Sequence, residues 1–82
     1  MTHEQIVQLI KEAIHEVAPG KVNLDGPLDL TSNIRDLGID SVASMEMAGV
    51  VEERLNLTFP DEDLDRVATL GDLAQLVQTM KG

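Results

Sequence analysis

The chain has 82 residues, enough for one small domain, and sets 15 Asp and Glu against 6 Lys and Arg for a net charge of −9. That balance argues against nucleic acid or an anionic membrane surface as partner, because too few cations are present to neutralise phosphates. Cysteine is absent, which removes disulfides, thiolate catalysis and Cys-based metal sites, while 43% hydrophobic residues with Phe59 as the sole aromatic supply an aliphatic core. Thr2 and Gln5 have capping-box spacing ahead of Ile6, Ile10, Ala13, Ile14 and Val17, which recur along one helical face. Pro19-Gly20 ends that first helix. The charges at Glu4, Lys11, Glu12 and Glu16 exclude a signal-peptide core, and no apolar stretch is long enough to cross a bilayer, so a cytoplasmic monomer is expected.

Residues 19–39 are a long connection, yet Leu24, Leu28, Leu30, Ile34, Leu37 and Ile39 recur through it, so it is expected to lie across the bundle. Ser32-Asn33 is placed to cap a single turn that ends at Gly38. A second helix begins at Asp40-Ser41 and runs to about Leu55, where Asn56 interrupts it. Pro60 then fits the first turn of a short third helix, with Asp61, Glu62 and Asp63 at the positive end of its dipole. Thr69, with Asp72 three residues on, caps the last helix, whose expected buried stripe is Leu70, Leu73, Val77 and Met80, joined by Ala74 and Leu76. No segment alternates as a strand does, so the fold class is all-α: a four-helix bundle with three main helices, one short helix and a long first loop.

Catalysis finds little support. His3 and His15 sit on or near the polar side of the first helix, and there is no G-x-S-x-G elbow and no sheet to carry one. Asp61, Asp63 and Asp65 match positions 1, 3 and 5 of a twelve-residue calcium loop, but Arg66 stands where glycine is needed and Asp72 where a bidentate glutamate is needed. Acids matched to a helix dipole explain that stretch better than a metal site does.

Ser41 at a helix start is different, because free N–H groups and the dipole there accommodate a phosphate or phosphodiester. At about 100° per residue, Ser44, Met47, Ala48, Val51 and Leu55 share one side of the second helix, with Val50 at its edge. Val42, Met45, Glu46, Gly49, Glu52 and Glu53 fall on the other. Apolar residues rimmed by one sign of charge mark a protein-docking face, and Gly49, at a cost of roughly 1 kcal/mol relative to alanine, lets a partner approach closely.

The run Leu37-Gly38-Ile39-Asp40-Ser41-Val42, then Met45-Glu46-Met47, Glu52-Glu53 and Phe59-Pro60-Asp61-Glu62-Asp63, resembles the acyl carrier proteins of fatty-acid and polyketide synthesis. The resemblance covers nearly the whole chain and implies a single acyl carrier domain over residues 1–82. It further implies that Ser41, preceded by Asp40, receives 4′-phosphopantetheine from coenzyme A through a phosphopantetheinyl transferase. The thiol missing from the chain would then belong to the arm, and the chain would be a carrier, not an enzyme. Implied partners are an acyl-loading enzyme or ligase, a ketosynthase and other acyl-processing enzymes with basic patches.

Val42 departs from the usual leucine, Arg54 stands where fatty-acid carriers often have a third acid, and Gly49 replaces a larger apolar residue. Gly38-Ile39-Asp40 differs from the Gly-Gly-His or Gly-Gly-Asp of many peptidyl carriers, which favours acyl over aminoacyl cargo. These departures weigh a polyketide or specialised-lipid pathway at least equally with fatty-acid synthesis. An aminoacyl or peptidyl carrier with the same Ser41 attachment is the nearest alternative. An unmodified acidic helical adaptor and a weak calcium binder are the alternatives from other classes.

Overall fold

The computed structural model describes residues 1–20 and 26–81, so Leu24 of the long loop lies outside the described residues. Four α-helices appear in order: α1 (His3–Val17), α2 (Ser41–Leu55), α3 (Asp61–Leu64) and α4 (Leu70–Lys81). A 3-10 turn, Ile34–Leu37, precedes α2. α1 packs chiefly against α2 and to a lesser extent against α4.

Local chemistry sets the boundaries. The Thr2 hydroxyl accepts the Gln5 N–H while the Gln5 side chain accepts the Thr2 N–H, completing the capping box at α1. Thr69 and Asp72 repeat the device at α4, at 3.0 Å in each direction. Asn33 caps the 3-10 turn by accepting the Arg35 N–H, and Gly38 closes it in the left-handed region at φ 81°. Asn56 ends α2 in the same region at φ 54°, a conformation that asparagine tolerates better than most residues. Pro60 differs slightly from its expected place: it stands at the N-cap of α3, one residue ahead of the first turn. Its carbonyl accepts the Asp63 and Leu64 N–H groups, and its own missing N–H costs nothing there.

One apolar cluster joins Ile6, Ile10, Ile14, Ile34, Ile39, Met47, Val51, Phe59, Leu70, Leu73 and Val77. The long loop contributes to it as expected, with Ile34 and Ile39 buried and Leu28, Leu30 and Leu37 packed against its edge. Backbone bonds stitch the loop to the start of α4: Ile34 N–H to the Ala68 carbonyl, Leu70 N–H to Ser32, and Gly71 N–H to Leu30 at 2.8 Å. A Cβ at position 71 would stand 2.9 Å from the Leu30 oxygen, so glycine is required for this approach.

Two expectations about burial are corrected. Met80 is 40% exposed; it stands in the last turn of α4, one residue before the helix ends at Lys81. Val17 is only half-buried at the end of α1, while Leu9 and Lys11 are buried. Lys11 spends its ammonium on the Gly26 carbonyl, so its stem lies along the core and its head pins the long loop.

Candidate functional site

Ser41 is exposed and is the first residue of α2. Of the two cap candidates in Asp40-Ser41, Asp40 takes the role: its Oδ1 accepts the Ala43 N–H at 2.8 Å. Ser41 stands inside the helix, where its hydroxyl is not the cap. Fifteen residues of helix put a dipole behind it, and the preceding 3-10 turn delivers the chain through buried Ile39, so the serine is rigidly placed yet open.

Ser41 and Ser44 line a cleft of about 470 Å³ together with Arg35, Met45, Leu64 and Asp65. A neighbouring cleft of about 410 Å³ shares Ser44, Met45, Leu64 and Asp65 and reaches the core residues Met47 and Leu73. The opening between α2 and α3 therefore begins polar at Ser41 and becomes apolar toward the core.

The outer face of α2 carries Val42, 65% exposed, and Met45, 76% exposed, beside exposed Glu46 and Glu53. A Cβ added at Gly49 meets no atom within 4 Å, so internal packing does not require glycine there. Glu52 is half-buried and serves the fold instead. Its Oε2 accepts the Phe59 N–H at 2.7 Å and so ties α2 to the chain after its left-handed end. Ser41, Val42, Met45 and Glu46 are all exposed at the start of α2, while Glu52, about three turns on, is half-buried and shares a surface cleft with Glu53.

Other acids are also committed. Asp72 Oδ2 accepts the Thr69 and Ala68 N–H groups, bonds that hold its carboxyl below the usual carboxylate range. This position, which a calcium loop would need as its bidentate ligand, belongs to the cap of α4. Asp29 is likewise held low, by hydrogen bonds from the Thr31 hydroxyl and N–H and from the Ser32 hydroxyl. Glu12 and Glu16 meet Arg54 at 3.0 and 3.3 Å, an ion-pair triad between α1 and α2. Two cations were not singled out in the sequence for what they touch: Arg54, whose partners lie about 40 positions away, and Arg35, which lines the Ser41 cleft. The rarity of cations was the signal available for Arg35.

Among the described residues, no helix is long and apolar enough to cross a membrane. A family profile described as a phosphopantetheine attachment site matches residues 4–77. The chain is 33% identical to the acyl carrier protein of Wolinella succinogenes over 72 residues, covering 88% of this chain and 92% of that protein. It is 34% identical to the acyl carrier protein of an Exiguobacterium species over 82 residues, covering 96% and 98%. The meromycolate extension acyl carrier protein of Mycobacterium tuberculosis is 33% identical over 84 residues, covering 99% of this chain and 69% of that protein. No solved structure matches the chain. Proteins of this kind are carriers and not catalysts: a phosphopantetheinyl transferase supplies the arm, and acyl-processing enzymes act on the acyl groups it holds. With a matching profile over most of its length and relatives aligned nearly end to end, the chain belongs to the phosphopantetheine-binding acyl carrier protein family.

Proposed function

We propose that Ser41 is the attachment residue, and that the chain presents an acyl thioester from it to enzymes that dock on the outer face of α2. The observation that carries this reading is the division of labour at the helix start. Asp40 serves as the cap, and among the described residues the exposed Ser41 hydroxyl makes no hydrogen bond of the fold. The residues around it fit a phosphodiester: the helix dipole and Arg35 in the adjacent cleft favour an anion, against Asp40 and Asp65, which line the same cleft. The arm supplies the thiol that this cysteine-free chain lacks. Asp40 fixes the helix start, and Ile39 anchors it to the core.

Docking is assigned to Val42 and Met45 as the apolar centre and to Glu46 and Glu53 as the charged rim, with Gly49 admitting close approach. Glu52 contributes field and fold more than direct contact. The partners are a phosphopantetheinyl transferase, a loading enzyme or ligase, and condensing enzymes such as a ketosynthase, each with a basic patch. The departures at Val42, Gly49 and Arg54 weigh a dedicated polyketide or specialised-lipid pathway at least equally with fatty-acid synthesis. Incubation with coenzyme A and a broad-specificity transferase should add one arm to the intact mass. An unchanged mass would leave the acidic-adaptor reading in its place.

A further inference from the structure

We propose that Arg35 is a positioning residue that pairs with the phosphodiester joining the arm to Ser41, and so steers the root of the arm along the 3-10 turn. The proposal rests on the Ser41 attachment. It starts from how the few cations are spent. Lys11 is buried against the Gly26 carbonyl, and Arg54 is engaged by Glu12 and Glu16. Arg35 makes no ion pair among the described residues, and it lines both clefts that Ser41 lines. Among the described residues, no other Lys or Arg lines either cleft.

The helix start alone is a weakened anion site. The Asp40 carboxylate already takes the Ala43 N–H and places a negative charge next to the serine. A phosphodiester added to Ser41 brings a further negative charge to a chain whose net charge is −9. Repulsion from Asp40 directs that anion away from the cap, and the cation on the neighbouring turn is Arg35. Its backbone is held on both sides: its N–H donates to Asn33 Oδ1 at 2.9 Å, and its carbonyl accepts the Gly38 N–H at 3.0 Å. The guanidinium, with five donors in a planar fork, suits phosphate oxygens better than a point charge does. The pairing is solvent-exposed, so salt must weaken it.

Wild type, Arg35→Gln, Arg35→Lys and, as a control cation that lines neither cleft, Arg66→Gln are modified with coenzyme A and a broad-specificity transferase and checked by intact mass. Phosphorus NMR of the phosphodiester is then recorded across a sodium chloride series. The expected result is a low-salt resonance that differs between wild type and Arg35→Gln, with Arg35→Lys between them and Arg66→Gln matching wild type. Raising salt to about 1 M, where the Debye length falls to about 3 Å, should move wild type toward Arg35→Gln while the latter changes little. Coincident low-salt resonances, or equal salt dependence in wild type and Arg35→Gln, overturn the proposal alone. Wild type that gains no arm overturns the attachment reading and this proposal together.

Discussion

Glu52 lies among the acids proposed for docking yet also carries a backbone bond of the fold, which makes its removal a sharp test of how α2 is used. Its Oε2 accepts the Phe59 N–H at 2.7 Å, and Phe59 is 1% exposed. Glu52→Ala removes a charged acceptor and strands an amide, a loss of about 1–3 kcal/mol in buried settings. Because Glu52 is only half-buried, water replaces part of the bond and about 1–2 kcal/mol remains. Alanine also returns a few tenths of a kcal/mol through helix propensity. Glu53→Ala corrects for this, since it makes the same replacement at the next, exposed position with the same change in charge. In a domain of this size 1 kcal/mol corresponds to about 4–8 °C in melting temperature, so Glu52→Ala should melt about 4–16 °C below Glu53→Ala. Glu52→Gln keeps an acceptor oxygen and should fall between them. Melts of the unmodified protein followed by far-ultraviolet circular dichroism read the difference. Equal melting temperatures for the two alanine variants would refute the structural role and return Glu52 to the docking rim.

Glu46→Lys should slow association with the transferase and flatten its salt dependence while leaving stability within about 0.5 kcal/mol, whereas Met45→Ala should act chiefly on dissociation. Stopped-flow binding across a salt series checks both, and wild-type association of Glu46→Lys at low salt would remove α2 as the recognition surface. Sodium chloride should raise the melting temperature of the unmodified protein, because screening weakens repulsion in a chain of net charge −9; a flat or falling series would contradict this. Acid should act in two directions. From pH 7 toward the sequence isoelectric point of about 4.3, protonation relieves repulsion and the melting temperature rises. The carboxyls of Asp72 and Asp29 lie below their unfolded values, so their contribution is present above about pH 3.9 and lost as pH falls through the folded values. Asp72→Asn should therefore lose less stability than wild type below about pH 4, and an equally steep fall would contradict the assignment.

The features legible in the sequence were those that short spacing decides. Thr69 and Asp72 signalled a capping box, Asn33 and Gly38 bracketed a turn, and the loop leucines and isoleucines announced a covered face. Each depends on residues a few positions apart, whose geometry follows from helix or turn periodicity alone. The Ser41 position was legible for the same reason, although which of Asp40 and Ser41 formed the cap needed coordinates. What escaped depends on chain reversal or on distant partners. Glu52 has the same chemistry as Glu53, and only the left-handed turn at Asn56 brings the Phe59 amide back to it. Arg54 finds Glu12 and Glu16 across the α1–α2 interface, and Lys11 enters an apolar surface by pinning a loop from another part of the chain. Met80 keeps the periodicity of its stripe, but in the last turn of α4 periodicity does not tell whether a neighbour covers it.

If Ser41 alone accepts the arm, mass mapping after modification must find the added group there and nowhere else. Wild type and Ser41→Ala are incubated with coenzyme A and transferase, weighed intact, and digested to locate the added group. Since Asp40 carries the cap, Ser41→Ala should keep the melting temperature close to that of wild type. One phosphopantetheine is expected on wild type, mapped to Ser41, and none on the folded variant. An arm on Ser41→Ala, or an arm on wild type mapped to Ser32 or Ser44, would contradict it.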